Sequence, residues 1–174
     1  SKCNQSILWL MNIGKIAEKN LKDEIEKRNI NSNRLIFADK ILIKEHRARL
    51  KFADLFLDTF PYNAHTTCND ALWAGVPVLT MMGDSFPSRV AASLLNTSNL
   101  NELVTNSLKE YEQMALKVAN DPKYLNELKN KIFEFKNKNP LFNSELFTNN
   151  IEKSFDLVMK RFKNNLKPDH LIIE

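Results

Sequence analysis

Glycine is scarce: the 174 residues include three, Gly14, Gly75 and Gly83. None forms a Gly-x-Gly-x-x-Gly loop or a P-loop, so two common backbone cradles for nucleotide phosphates are excluded. Cysteine is scarcer. Cys3 and Cys68 lie far apart, with no Cys or His at metal-ligand spacing. That excludes a patterned zinc site and a disulfide framework, and it fits a reducing, cytoplasmic setting. No apolar run approaches the roughly 20 residues of a membrane span. The start at Ser1 lacks the charged-then-apolar pattern of a secretory signal. Also missing are a Ser-His-Asp order, a general-acid/base carboxylate pair and a metal-ligand cluster. No Arg/Lys block interleaved with aromatics is present, so nucleic acid is not an expected partner.

Hydrophobic residues make up 43% of the chain and charged residues 26%, the balance of a soluble globular domain. The length suits one domain with its own core. The net charge is +4 and the pI near 9.0. Such a surplus fits a solvated lysine-rich surface, or an anionic partner such as a nucleotide diphosphate. A first residue other than methionine, followed closely by an apolar run, reads as a piece of a longer chain.

The pattern alternates strand and helix. Ile7 to Met11 reads as a strand buried on both faces, and Lys15 to Arg28 as a surface helix. Arg34 to Ala38 is a second strand, Lys44 to Phe52 a short basic helix, and Asp54 to Asp58 a third strand. A turn-prone stretch, Thr59 to Asn63, precedes a helix from Thr66 to Trp73 that stops at Gly75, a residue suited to a left-handed cap. Pro77 to Met81 is a fourth strand. Pro87 to Leu95 is a helix with proline at its first position, and Glu102 to Val104 a short last strand. From about residue 107 three amphipathic helices follow, Leu108 to Asn120, Pro122 to Lys138 and Ser144 to Phe162, separated by Asp121-Pro122 and Asn139-Pro140. The tail beyond Asn164 reads as loose. Strands and helices in this order predict an α/β domain, a parallel sheet with helices on both faces.

Ligands of such sheets bind where strand ends lead into helices. The first candidate is the segment Asn63 to Asp70. It follows the third strand and opens a helix, so unpaired amides and the positive end of the helix dipole face it. Thr66 and Thr67 add hydroxyls and His65 a ring nitrogen, together a set that suits a diphosphate without a metal. Asp70, one turn on, suits ribose hydroxyls. A threonine-capped helix with a stabilising acid has the same pattern. The second candidate is Lys44 to Arg49. His46 and Arg49 share a helical face, so an imidazole can stack on a base while a guanidinium bonds its carbonyls. A solvated basic helix reads identically. The third is Gly83 to Arg89, where Ser85 or Ser88 would lie near sugar or phosphate, or a simple capped turn would form. Trp73 and Phe56 read as core. His170 has no role. From the residues alone this is a nucleotide-binding α/β domain with no assigned reaction.

Several runs together resemble the protein O-linked N-acetylglucosamine transferases and their bacterial relatives. They are Ala53 to Thr59, Asn63 to Thr67, Asp70, Leu72 to Pro77, Ser88 to Ser93 and Pro140 to Asn143. The similarity extends from about Ile7 to Phe162. It implies the two-lobed GT-B fold, with this chain as most of the nucleotide-binding C-terminal lobe (residues 1–164) and a flexible tail (165–174). It implies that His65, Thr66 and Thr67 hold the diphosphate of a UDP-sugar, that Asp70 binds ribose, that His46 packs on uracil and that Arg49 contacts the base region. The family's Lys-x-x-His-x-x-Arg segment has Ile43 at its lysine position; Lys44 stands beside it as a substitute candidate. The implied reaction is inverting and needs no metal or other cofactor. It moves a sugar, N-acetylglucosamine by the family's name, to protein Ser or Thr. Bacterial relatives also modify other acceptors. The protein acceptor would be held mainly by an N-terminal lobe and tetratricopeptide repeats outside this chain, and a phosphate-binding lysine would lie just upstream. The isolated chain is then expected to bind UDP without turnover. A non-catalytic nucleotide-binding or protein-interaction module, or a GT-B enzyme with a non-protein acceptor, are the alternatives.

Overall fold

A computed structural model describes residues 2–3, 5–136, 138 and 140–173. Among these, strands and helices alternate: β1 (Leu8–Met11), α1 (Lys15–Glu26), β2 (Leu35–Ala38), α2 (Ile43–Leu50), β3 (Phe56–Leu57), α3 (Thr66–Ala74), β4 (Val78–Met81), α4 (Val90–Thr97) and β5 (Val104–Thr105). Three helices close the sequence: α5 (Leu108–Asn120), α6 (Pro122–Lys136) and α7 (Ser144–Lys163). All strand pairs are parallel, as the alternation predicts.

The strands form two sheets rather than one. β1 pairs with β2, from Leu8 opposite Leu35 to Met11 opposite Ala38. β4 is the centre of the second sheet, between β3 and β5. The expectation that β1 is buried on both faces is corrected: Leu8 is 42% exposed and Met11 59%. An apolar run marks burial only where both faces are covered, and in its sheet β1 has one neighbour. The segment expected to be helical from Pro87 begins as a 3-10 turn, Phe86–Ser88, and α4 starts at Val90. Likewise Asn101–Leu103 is a 3-10 turn and β5 begins after Glu102 and Leu103. The expected end of the helix from Pro122 and the expected break at Asn139-Pro140 lie partly outside the described residues, since 137 and 139 are not among them.

The core lies around β4 and α3. Leu72, Val76, Val78, Leu95, Leu100 and Leu103 are fully buried and meet Val118, Leu128 and Ile132 from α5 and α6. Local chemistry sets the helix ends. Gly75 adopts φ 85° after α3, and the amides of Gly75 and Val76 bond the carbonyls of Leu72 and Ala71, a left-handed cap that glycine adopts at no steric cost. Ser107 and Asn143 accept N-terminal amides of α5 and α7. Trp73, expected in the core, is 47% exposed. Its ring lies edge-on to Phe142 and carries the Lys136 ammonium 3.8 Å from its centroid. Lys136 also donates to the Trp73 carbonyl at 2.7 Å, a cation at the negative end of α3.

Cys68 sits on α3 with no exposed surface, and no disulfide joins it to Cys3. Burial, then the nearby Asp58 carboxylate, pushes its thiol up to about 12. Because the folded value lies above the ordinary value of 9.0, the folded state holds its proton longer than the unfolded state. The stabilisation is therefore complete below pH 9 and is lost as pH rises towards 12. In a thiol-alkylation assay at pH 8, Cys68 should react only after denaturation, while Cys3, partly exposed, reacts in the native protein. Prompt native labelling of Cys68 would contradict this environment.

Candidate functional site

The carboxyl end of β3, the loop after it and the start of α3 line a pocket of about 520 Å³, with Asp58, Thr59, Tyr62, Asn63, His65, Thr66 and Thr67 among its residues. That size falls in the range of small-ligand sites. It is formed by a loop that turns sharply through a cis Phe60–Pro61 peptide and is pinned from beneath.

The pinning residues are polar and buried. Asp58 is 4% exposed. Its Oδ1 accepts the Ala64 amide at 2.7 Å and its Oδ2 accepts the Thr80 hydroxyl at 2.7 Å. Asn63, also buried, donates through Nδ2 to the Thr59 carbonyl at 2.8 Å, Thr80 Oγ1 at 3.2 Å and the Met81 carbonyl at 3.3 Å. From α5, the Tyr111 hydroxyl donates to the Asp58 carbonyl at 2.9 Å. Burial, then Asp58, pushes the Tyr111 phenol up, so it stays a donor. These bonds tie the loop to β4 and α5, although Asn63 Oδ1 is buried without a partner among the described residues. In the sequence Asn63 closes a turn-prone stretch and opens the first candidate segment, while Thr80 and Tyr111 lie outside every candidate segment. A buried-strand threonine and a helix tyrosine carry no local signal of this kind.

The loop delivers the first turn of α3 to the pocket. Thr66 and Thr67 are exposed. Among the described residues no acceptor meets the amides of Thr66, Thr67 and Cys68, the usual state of a helix start and a receptive one for an anion. His65 precedes the helix without capping it. Its ring stacks on Tyr62 at 5.2 Å and 18°, with Phe86 edge-on at 6.1 Å. His65 Nε2 is buried and has no partner among the described residues. The alternative of a threonine-capped helix is not what forms: Thr66 is the first helical residue, His65 stands at the cap position, and no side chain caps the helix.

Asp70 lies one turn along α3. Its Oδ1 accepts from Arg47 Nε of α2 at 2.7 Å. This ion pair brings the second candidate segment against the first. On α2, Arg49 Nε donates to His46 Nδ1 at 3.2 Å, and Arg49 Nη1 donates to the Asp39 carbonyl at 2.9 Å. The Arg49 guanidinium also lies 5.3 Å from the Trp9 ring centroid. Arg49 is therefore held by β1, the loop after β2 and its own helix. With Nδ1 accepting, a neutral His46 carries its proton on Nε2. Lys44 is exposed near the start of α2, and Ile43, at its first position, is 57% exposed.

The third candidate segment turns inward. Ser88 is buried, donates to the Ser85 carbonyl at 2.8 Å and lies 3.0 Å from Ser85 Oγ. Gly83 fits against it so closely that an added Cβ would meet Ser88 Oγ at 2.6 Å. These two serines shape the loop that carries Phe86 to His65. His170 lies in the irregular stretch after α7, and no helix among the described residues is long and apolar enough to cross a membrane.

Comparison with known proteins converges. The profile of glycosyl transferase family 41 matches residues 1–151. A UDP-N-acetylglucosamine–peptide N-acetylglucosaminyltransferase of Caenorhabditis elegans is 30% identical over 96% of this chain and 14% of its own length. A probable enzyme of the same name from Arabidopsis thaliana is 31% identical over 95% of the chain and 17% of its own. The chain thus spans about one sixth or less of these relatives. A solved O-GlcNAc transferase point mutant from Thermobaculum terrenum superimposes with a TM-score of 0.80 at 28% identity, covering 86% of this chain and 29% of that one. Parallel strands alternating with helices match the GT-B fold of that transferase.

Proposed function

The chain belongs to glycosyl transferase family 41, and from that premise we propose that it is the donor-binding lobe, over residues 1–164, of an inverting glycosyltransferase. The intact enzyme moves N-acetylglucosamine from a UDP-sugar to Ser or Thr hydroxyls of proteins. The observation that carries the reading is the pocket at the start of α3. There the unmet amides and hydroxyls of Thr66 and Thr67 line the pocket beside His65, whose buried Nε2 has no partner among the described residues. They match the needs of a pyrophosphate. Asp70 takes the ribose, and His46 with Arg49 takes the uracil.

The chemistry follows from that placement. The acceptor oxygen attacks the anomeric carbon from the face opposite the diphosphate. A carbon–oxygen bond forms as the anomeric carbon's bond to the β-phosphate oxygen breaks; the electron pair leaves on UDP, and the acceptor hydroxyl's proton is released alongside it. Preorganised amides and hydroxyls at the leaving group lower the barrier by meeting that charge as it develops. No metal is needed for this role in the proposal. The acceptor is held by parts of the protein beyond this chain.

Calorimetric titration of the 174-residue chain with UDP tests the reading. A saturable, single-site heat is expected, with no transfer to an acceptor peptide. A chain that takes up no UDP would remove the reading. His65→Ala in the intact enzyme should lower turnover by about 10²-fold, the usual cost of one such donor, with the melting temperature nearly unchanged. A drop in melting temperature at normal specific activity would instead make His65 a structural residue. One observation favours a second reading, a nucleotide-binding module without turnover: exposed Ile43 stands where the family has lysine. An activity assay on the intact protein separates the two.

A further inference from the structure

Arg47 lies between the two residues assigned to the base, yet it faces α3. Its Nε donates to Asp70 Oδ1 at 2.7 Å, across 23 positions of sequence. The Asp70 side chain is 15% exposed and that of Arg47 50%. Among the described residues no hydrogen bond reaches Asp70 Oδ2 from another side chain. We propose that Arg47 is a positioning residue for ribose recognition: it holds one carboxylate oxygen of Asp70 and leaves the other as the acceptor for a ribose hydroxyl. The proposal rests on the reading that Asp70 binds ribose.

The physical basis is preorganisation. An aspartate near a helix start samples several rotamers, and a ligand that must select one loses affinity to that ordering. A guanidinium bond made before the ligand arrives fixes the rotamer in advance. The same bond ties α2, which carries His46 and Arg49, to α3, which carries Thr66 and Thr67. It thus sets the distance between the base and phosphate ends of the site. Its direct contribution to fold stability is small, because half of the arginine lies in solvent.

The test compares UDP with 2′,3′-dideoxy-UDP, which lacks both ribose hydroxyls, on the wild-type chain and on Arg47→Ala, Arg47→Lys, Asp70→Ala and the Arg47→Ala/Asp70→Ala double variant. Arg47→Ala should weaken UDP by about three- to tenfold, the scale of one hydrogen bond, and leave dideoxy-UDP nearly unaffected. The double variant should bind UDP no more weakly than Asp70→Ala alone, and Arg47→Lys should recover part of the loss. If Arg47→Ala binds UDP like wild type while Asp70→Ala is impaired, the positioning role falls and the ribose reading stands. Equal losses on both nucleotides would mark a charge effect on the diphosphate and also overturn positioning. An Asp70→Ala chain that binds UDP normally removes the ribose reading, and this inference with it.

Discussion

Asp58→Ala is expected to lower stability by about 3–5 kcal/mol, which corresponds to roughly 6–20 °C in Tm for a chain of this length. The substitution leaves two donors, the Ala64 amide and the Thr80 hydroxyl, without the carboxylate that each now meets at 2.7 Å. Both lie in or next to the buried layer under the loop, where an unmet donor bears its full desolvation cost. UDP binding should weaken as well, because the Ala64 amide is the anchor just ahead of His65. Asp58→Asn is the informative partner. It keeps an acceptor at nearly the same position, so about half of the loss or less is expected. Thermal denaturation followed by circular dichroism, alongside the UDP titration, reads both effects. A melting temperature within about two degrees of wild type would show that the loop does not depend on this carboxylate.

Asp70→Ala has the opposite profile. UDP affinity should fall by about 1–3 kcal/mol, or roughly 5- to 150-fold, through loss of charged hydrogen bonds to ribose. Stability should hardly move, since the side chain's visible partner is a half-exposed arginine. The contrast separates a residue that builds the pocket from one that contacts what enters it. Calorimetry and a melting curve on the same preparation give both numbers. Normal affinity with a lowered melting temperature would make Asp70 a helix-stabilising acid near the start of α3, the alternative that its spacing also allowed.

Much of this architecture was legible along the chain because it obeys local rules. Alternating apolar and amphipathic segments placed five strands and seven helices in order. Gly75 marked the end of α3 through its tolerance of a left-handed backbone. The run His65-Thr66-Thr67 after a strand marked the start of α3. Each of these is decided within a few residues, so a window of sequence contains the cause. Where local rules misled, the reason was equally physical. Trp73 and the β1 run are apolar, but apolarity says only that burial is favourable. Coverage by other elements decides whether burial occurs.

What the sequence by itself determined, then, is the order of elements and the left-handed end of α3 at Gly75. The tertiary structure alone decided the partners of the polar side chains: Asp58 with Thr80 across 22 positions, Tyr111 with the Asp58 carbonyl across 53, and Arg47 with Asp70 across 23. A polar side chain bonds to whatever the fold brings within about 3 Å. That proximity is a property of packed elements and is not written in the spacing of residues along the chain.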